Sequence, residues 1–318
     1  MEIFRIVTKI PSLREVTGNI FAWLRMSRPS FHSVGILPFI LGTCLAWKIE
    51  RIFLEPVFWL GILAVILTML SAYHAGEYFD HEEDTLSKSI FKSRFAGGSG
   101  IIPEHVLSRR IPFLTSLLSL FLAGILGLVL QFVFRTGPYT LLLGCLGALP
   151  GFFYSAKPVR LVSRGCGELF IAFCYGWLPV AAAYYLQTGF IHPIVHWISL
   201  PIALTIYNVM LLNEFPDYEA DKAVRKRNLL VRLGPQKGVF LFAMISIAVW
   251  PAMAMAVWVG ISGAVFHVYL PIGLLSILIL FLMIRKWHEK PRTLEILCGM
   301  NIAVNLGTTA ALIYALLR

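Results

Sequence analysis

The chain has 318 residues, of which 58% are apolar or aromatic and only 14% are charged. Soluble globular domains carry more charge, so this composition excludes that class and favours a protein with several membrane spans. The formal net charge of +10 requires no nucleic-acid partner, because an excess of basic residues is also the ordinary mark of cytoplasmic membrane loops.

Residues 1–30 precede the first long apolar stretch. Charges interrupt their apolar residues, and they lack the basic-then-apolar order of a cleavable signal peptide. We expect this segment to lie along the cytoplasmic membrane interface as a short amphipathic helix. The remainder, 31–318, is predicted to form a single membrane domain.

Nine apolar stretches follow in chain order, bracketed by glycine, proline or charged residues. Because roughly 20 helical residues cross the hydrocarbon core, each stretch predicts a transmembrane helix. The expected fold class is therefore all-α, an integral membrane bundle of nine helices. The nine predicted spans are 31–47, 56–76, 112–133, 139–154, 168–187, 193–212, 239–259, 263–284 and 294–317.

Basic residues are concentrated on one side of this predicted topology. The N-terminal segment and the loops after the even-numbered spans hold 23 of the 27 Lys and Arg residues, and the other side holds only Lys48, Arg51, Arg135 and Arg318. By the positive-inside rule we expect a multi-pass protein of the cytoplasmic (inner) membrane, with a cytoplasmic N-terminus and an external C-terminus.

Two similar acidic phrases end the second and the sixth predicted span. They read "GEYFDHEED" at 76–84 and "NEFPDYEAD" at 213–221, and together they hold nine of the 17 acidic residues. A single pair of carboxylates at a helix end is usually a solvated surface feature. Two copies, four spans apart and on the same predicted side of the membrane, favour a shared function instead.

The aspartates within each phrase have a spacing that suits a metal ion. Asp80 and Asp84 are four residues apart, as are Asp217 and Asp221. On a helix this spacing turns the second position by only about 40°, so both carboxylates project to one side. Mg²⁺ commonly takes one or two carboxylates together with phosphate oxygens. Each phrase therefore predicts a Mg²⁺-binding face.

Basic residues follow both acidic phrases, in "SKSIFKSR" and "KAVRKR". Guanidinium and ammonium groups beside a metal ion bind a diphosphate, whereas positive-inside residues need no ligand, and both interpretations fit these side chains. A third loop carries "YSAKPVR", whose tyrosine fits equally a substrate contact or the aromatic belt of a membrane interface. The residues predicted to bind substrate are Lys88, Lys92, Arg94, Tyr154, Lys157, Lys226 and Arg227.

These features together resemble the UbiA superfamily of intramembrane prenyltransferases. The resemblance rests on "GEYFDHEED", on "NEFPDYEADKAVRKRNLLVRLG", on the nine predicted spans and on "SRP" at residues 27–29, and it runs across nearly the whole chain. The phrases "GGSGII", "YYLQTG" and "KRNLLVRLG" are most similar to the branch that prenylates dihydroxynaphthoate on the way to menaquinone.

The resemblance implies a helical bundle whose central cavity opens laterally to lipid, with both acidic phrases at its cytoplasmic end. It implies that Mg²⁺ bridges carboxylates and a prenyl diphosphate donor, and that an aromatic acceptor takes the prenyl group. Catalysis would then depend on Asp80, Asp84, Asp217 and Asp221, with Asn213 as a further metal ligand.

The first phrase departs from the family pattern, which usually begins with Asn-Asp where this chain has Gly76 and Glu77. Glycine offers no ligand, so we expect Glu77 to join the metal-binding set, or water to fill the place. The neighbouring Glu82 and Glu83 are expected on the solvated face of the helix.

Two questions stay open at the level of sequence. Members of the superfamily prenylate hydroxybenzoate, dihydroxynaphthoate, a glycerol phosphate ether, and haem or chlorophyllide precursors, and the length of the prenyl tail is equally open. The alternative from another class is a transporter, since paired motifs at equivalent spans also suggest an internal repeat. Transporters usually place ionisable groups near the bilayer midplane, whereas the Asp, Glu, Lys and Arg residues here lie near span ends or in loops, which favours the enzyme.

Overall fold

The structure is a computed structural model that describes residues 13–90 and 93–318, and within these ranges no residue lies in a strand. Two π-helical segments, Val129–Val133 and Phe173–Trp177, adjoin α-helices, which are numbered in chain order. The helices are α1 Leu13–Met26, α2 Ser33–Glu50, α3 Glu55–Phe79, α4 His81–Ile90, α5 Arg110–Leu128, α6 Thr140–Phe153, α7 Gly167–Ala172, α8 Leu178–Thr188, α9 Ile194–Asn213, α10 Tyr218–Ala223, α11 Leu229–Leu233, α12 Pro235–Trp258, α13 Val265–Ile284 and α14 Pro291–Leu317.

Proline and glycine mark several helix ends, as their backbone preferences require. Proline occupies the first turn of α3, α12 and α14, where its missing N–H removes no helical hydrogen bond. Gly189 follows α8 with a φ of 82°, the left-handed conformation in which helices commonly end on glycine. These signals set the limits of spans whose interiors are otherwise uniformly apolar.

Eight segments of the described chain are helical, long and apolar enough to cross a membrane, which confirms the prediction of an all-helical membrane protein. The count of nine is not confirmed, because the fourth predicted span forms a helix of only 14 residues, α6. The eight segments are Thr17–Glu50, Glu55–Phe79, Arg110–Val133, Gly167–Thr188, Ile194–Asn213, Pro235–Trp258, Val265–Ile284 and Pro291–Leu317.

The short helix α6 nevertheless runs from one end of the bundle to the other. Just after its last turn, the Ser155 hydroxyl donates a hydrogen bond to Asp80, which follows α3. Just before its first turn, the backbone N–H of Tyr139 donates to the Tyr185 hydroxyl at 2.9 Å, near the end of α8. Since 14 helical residues measure about 21 Å, a crossing at α6 would require the flanking residues to complete the distance across the hydrocarbon core.

Apolar packing and a few internal hydrogen bonds hold the long helices together. The largest buried cluster joins α2, α8, α9, α12, α13 and α14. The Asn208 amide of α9 donates to the Ser246 hydroxyl of α12 at 2.9 Å, and the Asn305 amide of α14 donates to the Thr205 hydroxyl of α9 at 2.9 Å. Such bonds between spans satisfy polar groups that lipid could not.

The N-terminal helix α1 has two different faces. Ala22 and Met26 are buried against Ile101 in the loop before α5, whereas Phe21 is 72% exposed. An exposed apolar face agrees with a place along the membrane surface, which stays a prediction. Residues 1–12 of the predicted interfacial segment lie outside the described residues.

Candidate active site

A cavity of about 590 Å³ lies between α2, α3, α5, α6, α8 and α9. Its wall is mostly apolar, but charged side chains collect where α3 and α9 finish, and we call this the acidic end. The two acidic phrases therefore meet in one space. The acidic end is lined by Glu77, Asp80, Asp84, Asn213, Glu214, Asp217 and Asp221, together with Arg28 and Lys226.

Hydrogen bonds tie the second phrase to the segment that follows the first. Asp217 accepts a hydrogen bond from the Ser87 hydroxyl of α4 and another from the backbone N–H of Gly97, at 2.9 Å. Because α4 begins directly after Asp80, these bonds hold the two phrases side by side.

Each phrase bends at its first aspartate, so neither lies on one uninterrupted helix. The chain leaves α3 before Asp80 and leaves α9 before Asp217, and a new helix starts after each residue. The backbone N–H of Asp84 still donates to the Asp80 carbonyl at 2.9 Å, and that of Asp221 to the Asp217 carbonyl at 2.8 Å. The aspartates of each pair therefore stay one helical turn apart, as their spacing predicts.

Two residues that follow α6 contact the Asp80 carboxylate. The Ser155 hydroxyl donates to Asp80, and the Arg160 guanidinium lies 3.4 Å from it. The same guanidinium forms an ion pair with Glu83, which is buried. The expectation that Glu83 lies on the solvated face is wrong, because Arg160 gives it a buried partner; Glu82 is exposed as expected.

Asp84 is the least satisfied carboxylate of the first phrase. The residue is 8% exposed, and its carboxylate forms no hydrogen bond or ion pair with any described residue. Burial, together with the negative charges of Glu77 and Asp80, raises the pKa of Asp84 well above its usual range. A carboxyl in this situation is suited to receive a cation.

Lys226 lies among the carboxylates of both phrases. Its Nζ is 3.4 Å from Asp221, whose other oxygen accepts a hydrogen bond from the Asn228 amide at 2.8 Å. Burial alone would lower the pKa of Lys226, but Asp221 and Asp80 raise it above its ordinary value. The acidic end therefore contains a buried ammonium group that stays charged.

Glu77 already has a partner for each of its oxygens. One oxygen accepts from the backbone N–H of Ser99 at 2.6 Å and lies 3.3 Å from the Arg28 guanidinium; the other accepts from the Ser99 hydroxyl at 2.8 Å. Glu77 thus links α3 to Arg28 and to the glycine-rich loop at 97–100. Its part in a metal site stays a prediction and would require it to exchange one of these bonds.

The chain matches the family model described as the UbiA prenyltransferase family over residues 36–305. It belongs to this family. A 1,4-dihydroxy-2-naphthoate octaprenyltransferase of Bacillus subtilis (strain 168) is 28% identical over 231 residues, 72% of this chain and 71% of the relative. A 2-carboxy-1,4-naphthoquinone phytyltransferase of Synechocystis sp. is 25% identical over 249 residues, 78% of this chain and 76% of the relative. The expected resemblance to the dihydroxynaphthoate branch is confirmed by these similarities.

Solved structures of the UbiA family share the fold of this chain. A UbiA homolog from Archaeoglobus fulgidus, bound to DMAPP and Mg²⁺, has a TM-score of 0.63 at 16% identity, with 91% of this chain and 99% of that chain covered. A UbiA homolog from Aeropyrum pernix K1 has a TM-score of 0.65 at 17% identity, with 89% and 97% covered. At such identities the likeness establishes the fold alone.

The cavity of this UbiA chain is open on one side. Five of the residues that line its wall on α5, α6 and α7 are exposed. Small residues among them keep this wall incomplete. The five residues are Gly124, Gly144, Cys145, Leu149 and Phe170.

Mg²⁺ fits the chemistry of the acidic end, although the side chains alone form no complete metal cage. Within 13–90 and 93–318, no group of three or more His, Cys, Asp and Glu side chains is arranged to hold a metal ion. Oxygen ligands are nevertheless available. Asn213 Oδ1 is buried without a hydrogen-bond partner, and the Asp84 carboxylate forms no hydrogen bond or ion pair with a described residue. Mg²⁺ usually keeps several waters and binds substrate phosphates beside one or two carboxylates, so a full cage is not required.

Gly76, where the family pattern has Asn, has room for a side chain. The nearest atom to a Cβ built at this position is the Ser155 hydroxyl oxygen, at 3.7 Å. Packing therefore does not explain the glycine, and nothing else in the structure does.

The predicted substrate-binding residues divide into two groups. Tyr154 and Lys226 line the cavity, and the Tyr154 hydroxyl is buried without a hydrogen-bond partner. The others do not line it: the Lys88 ammonium donates to the carbonyls of residues 93 and 96, Arg94 lies 3.7 Å from Glu295 with its side chain 90% exposed, and Lys157 and Arg227 are exposed. Lys92 lies outside the described residues.

Sequence reasoning missed several groups that shape the acidic end. Arg28 lies in the "SRP" stretch, which indicates only the family resemblance, and Arg160 lies in the loop where the sequence predicts Lys157 as the substrate-binding residue. Two buried glutamates were also missed. Glu168 accepts a hydrogen bond from the backbone N–H of residue 229 at 3.2 Å, and Glu214 accepts one from that of residue 230 at 3.1 Å. Both glutamates therefore bind backbone N–H groups in the first turn of α11.

Proposed function

We propose that this UbiA-family protein transfers a prenyl group from a prenyl diphosphate to an aromatic acceptor, 1,4-dihydroxy-2-naphthoate or a related quinone precursor, with Mg²⁺. The observation that carries the proposal is the meeting of both acidic phrases at one end of a single, largely apolar cavity. A prenyl diphosphate has the same division between a charged head and an apolar tail.

Some side chains of the acidic end are proposed to bind Mg²⁺ and others to bind the diphosphate. Asp80, Asp84, Asn213, Asp217 and Asp221 are the proposed metal ligands, with Glu77 contributing least because its oxygens are already bonded. Mg²⁺ would supply positive charge against the diphosphate as pyrophosphate leaves. Lys226 and Arg28, which line the same space, add charge-assisted hydrogen bonds to the departing group.

The prenyl carbon left behind carries positive charge, and aromatic faces near the acidic end stabilise such a charge. The donor's C1–O bond breaks with its electron pair leaving on pyrophosphate; a ring carbon of the acceptor then bonds to C1, and the ring loses a proton. The open side of the cavity gives both lipid-soluble substrates a route from the membrane. Five aromatic residues line the cavity toward the acidic end: Phe31, Tyr73, Phe95, Tyr154 and Tyr175.

The proposed setting is the inner membrane, with the acidic end toward the cytoplasm. The Lys and Arg residues that follow each acidic phrase support this orientation, because positive residues are retained on the cytoplasmic side. The donor's charged head would then be delivered from the cytoplasm while its tail stays in lipid.

An acceptor panel tests the proposal. The purified protein in lipid vesicles is given Mg²⁺, a radiolabelled prenyl diphosphate and, in separate reactions, dihydroxynaphthoate, hydroxybenzoate, a glycerol phosphate ether or a chlorophyllide. We expect a prenylated product with dihydroxynaphthoate at a higher kcat/KM than with the others. A higher value for another acceptor would change the assigned substrate, and no product with any of them, together with transport of a solute, would favour the transporter.

A further inference from the structure

A second pocket, separate from the cavity of the acidic end, lies where α4 and α5 begin. Its volume is about 340 Å³, and none of the residues that line it lines the larger cavity. Its wall comes from the first residue of α4 and from the loop that precedes α5, and we call it the interfacial pocket. The residues that line it are His81, Ile102, His105, Leu107, Ser108 and Arg109.

The interfacial pocket lies beside the ends of two apolar spans. The span of α3 ends at Phe79, shortly before His81, and the span that contains α5 begins at Arg110, directly after Arg109. The chain therefore leaves and re-enters the predicted hydrocarbon core next to the pocket. Phospholipid phosphates lie at this depth, in the polar region just outside the core.

The pocket contains a fixed positive charge and no carboxylate. The Arg109 Nε and Nη2 atoms donate to the Tyr78 carbonyl at 3.1 and 2.9 Å, and the guanidinium carbon lies 4.8 Å from the centre of the Tyr78 ring. These contacts hold the guanidinium in place. Arg109 forms no ion pair with any described residue, so its charge has no counter-ion within the protein.

Other polar groups of the pocket can also bind an anion. The His81 Nδ1 atom is buried without a hydrogen-bond partner, and the His105 side chain is exposed. The Ser108 hydroxyl accepts from the backbone N–H of Arg110 at 3.4 Å, which leaves its own hydrogen to donate. A phosphate group, with several acceptor oxygens, could bind these groups together with Arg109.

The neighbouring acidic residues do not neutralise the pocket. Glu82 is exposed and does not line it. Glu104 does not line it either, and its Oε1 atom lies 3.7 Å from a Cβ built at Gly100, in another part of the loop. The first turn of α5 contains no acidic residue, so the positive end of the helix dipole adds to the charge of Arg109.

Apolar surface beside the pocket favours a lipid over a free anion. Ile102 and Leu107, which line the pocket, also belong to the buried cluster that contains Ala22 and Met26 of α1. Beyond the pocket, α5 exposes large apolar side chains along its first turns. These residues are Leu114, Leu117, Leu118 and Phe121. A headgroup in the pocket would therefore place its acyl chains along α5.

We propose that the interfacial pocket binds the phosphate of an anionic phospholipid headgroup, with Arg109, His105 and Ser108 as hydrogen-bond donors. Basic pockets between spans on the cytoplasmic side are suited to such headgroups, because charge and depth both match. The site is distinct from the acidic end, although Arg109 contacts the end of the helix that leads to Asp80.

The test measures lipid binding directly, without prenyl transfer. The purified full-length chain in detergent is titrated with phosphatidylglycerol or with phosphatidylcholine, and native mass spectrometry gives the Kd of the first bound lipid. We expect the unaltered chain to bind phosphatidylglycerol more tightly. Arg109→Gln should weaken that binding about fivefold, because one basic group near a membrane surface contributes about that much.

His105→Asn is a second variant, because Arg109→Gln also removes the bonds to the Tyr78 carbonyl. Asparagine tolerates the φ of 57° at position 105, so the loop should keep its conformation. This variant should weaken phosphatidylglycerol binding about twofold or more, since it removes one hydrogen bond to the phosphate. Unchanged affinity in both variants would overturn the proposal.

Arg110→Gln is the matched control, because Arg110 adjoins Arg109, carries the same charge, is exposed and does not line the pocket. It should leave the Kd unchanged. Equal weakening by Arg110→Gln and Arg109→Gln would show that diffuse charge, and not the pocket, attracts the lipid. Equal affinity of the unaltered chain for the two lipids would also overturn the proposal. Displacement of phosphatidylglycerol by an excess of inorganic phosphate would make free phosphate the ligand instead.

Discussion

The burial of Asp221 has a consequence for the metal binding that we propose at the acidic end. Burial raises its pKa to about 6, against the opposing charge of Lys226, so protons compete with a cation for this carboxyl near neutral pH. A group with a raised pKa loses its charge as the pH falls through that value. The acidic end should therefore bind a divalent cation less well in mildly acidic solution.

We expect the Mg²⁺ concentration for half-maximal prenyl transfer to rise as the pH is lowered from about 7.5 to about 5.5, because Asp221 becomes protonated. Mg²⁺ titrations at a series of pH values, with donor and acceptor saturating, measure this. A half-maximal Mg²⁺ concentration that does not vary over that range would contradict the assignment of Asp221 as a ligand.

Glu77 and Asp84 make a second comparison between single residues. Both oxygens of Glu77 carry hydrogen bonds from Ser99 and one also contacts Arg28, whereas Asp84 is unpaired among the described residues. Glu77→Gln should then change the Mg²⁺ requirement by no more than about twofold, and Asp84→Asn should raise it about tenfold or more. The reverse order in Mg²⁺ titrations would make Glu77 a principal ligand, as the sequence alone suggests.

The aspartates could be predicted from sequence because their four-residue spacing and their repetition are local signals. Arg28 and Arg160 could not be placed in the same way. Each forms an ion pair with an acidic residue that is distant in the chain. The local sequence around a basic residue in a positive loop does not identify that partner. Only the packing of the helices selects Arg160 over its exposed neighbour Lys157.

The loop at 97–100 connects the two acidic phrases through hydrogen bonds. The backbone N–H of Gly97 bonds Asp217, and Ser99 bonds Glu77. Gly98 lies between them with a φ of 63° and directly against the Asp84 carboxylate. The loop therefore needs both the left-handed conformation and the absence of a side chain at Gly98.

Gly98→Ala should lower kcat/KM about tenfold or more, because its methyl group would displace Asp84 in addition to straining the backbone. Gly100→Ala is the matched control. Gly100 has a φ of 81°, but the nearest atom to a Cβ there is 3.7 Å away, so this variant carries the strain without the collision. Equal activity losses in the two variants, measured with equal thermal stability, would show that Asp84 is not the affected group.

The helices themselves were predictable to within a few residues, since apolar length and charged boundaries decide them. The bends within the acidic phrases were not foreseen. Pro216, just after α9, carries a local signal for the second bend because proline cannot continue a helix. No comparable residue accompanies the bend at Asp80, where Ser155 and Arg160 hold the side chain from another segment. That bend depends on tertiary contacts.

For the whole molecule, membrane topology follows from the contacts at the acidic end. Because Asp217 is bonded to Ser87 and Gly97, we expect the chain between the two phrases to return to the side from which it left, which requires α6 to be a further crossing. Reporter fusions at residues 100, 190 and 225 should read cytoplasmic, external and cytoplasmic. A cytoplasmic reading at 190 would contradict both this crossing pattern and the nine-span prediction.

We propose that the two acidic phrases act together, with Mg²⁺, on a prenyl diphosphate. Asp217→Asn and Asp221→Asn should each lower turnover at least about 100-fold, a loss of about 2.7 kcal/mol of transition-state stabilisation. The proteins should insert into membranes normally, because neither change touches an apolar span. The direct measurement is formation of labelled prenyl product by the unaltered protein and both variants in vesicles, with Mg²⁺ and with a chelator. We expect substantial product only from the unaltered protein with Mg²⁺; near-normal product from either variant, or from the chelated reaction, would show that the two phrases do not act together with Mg²⁺.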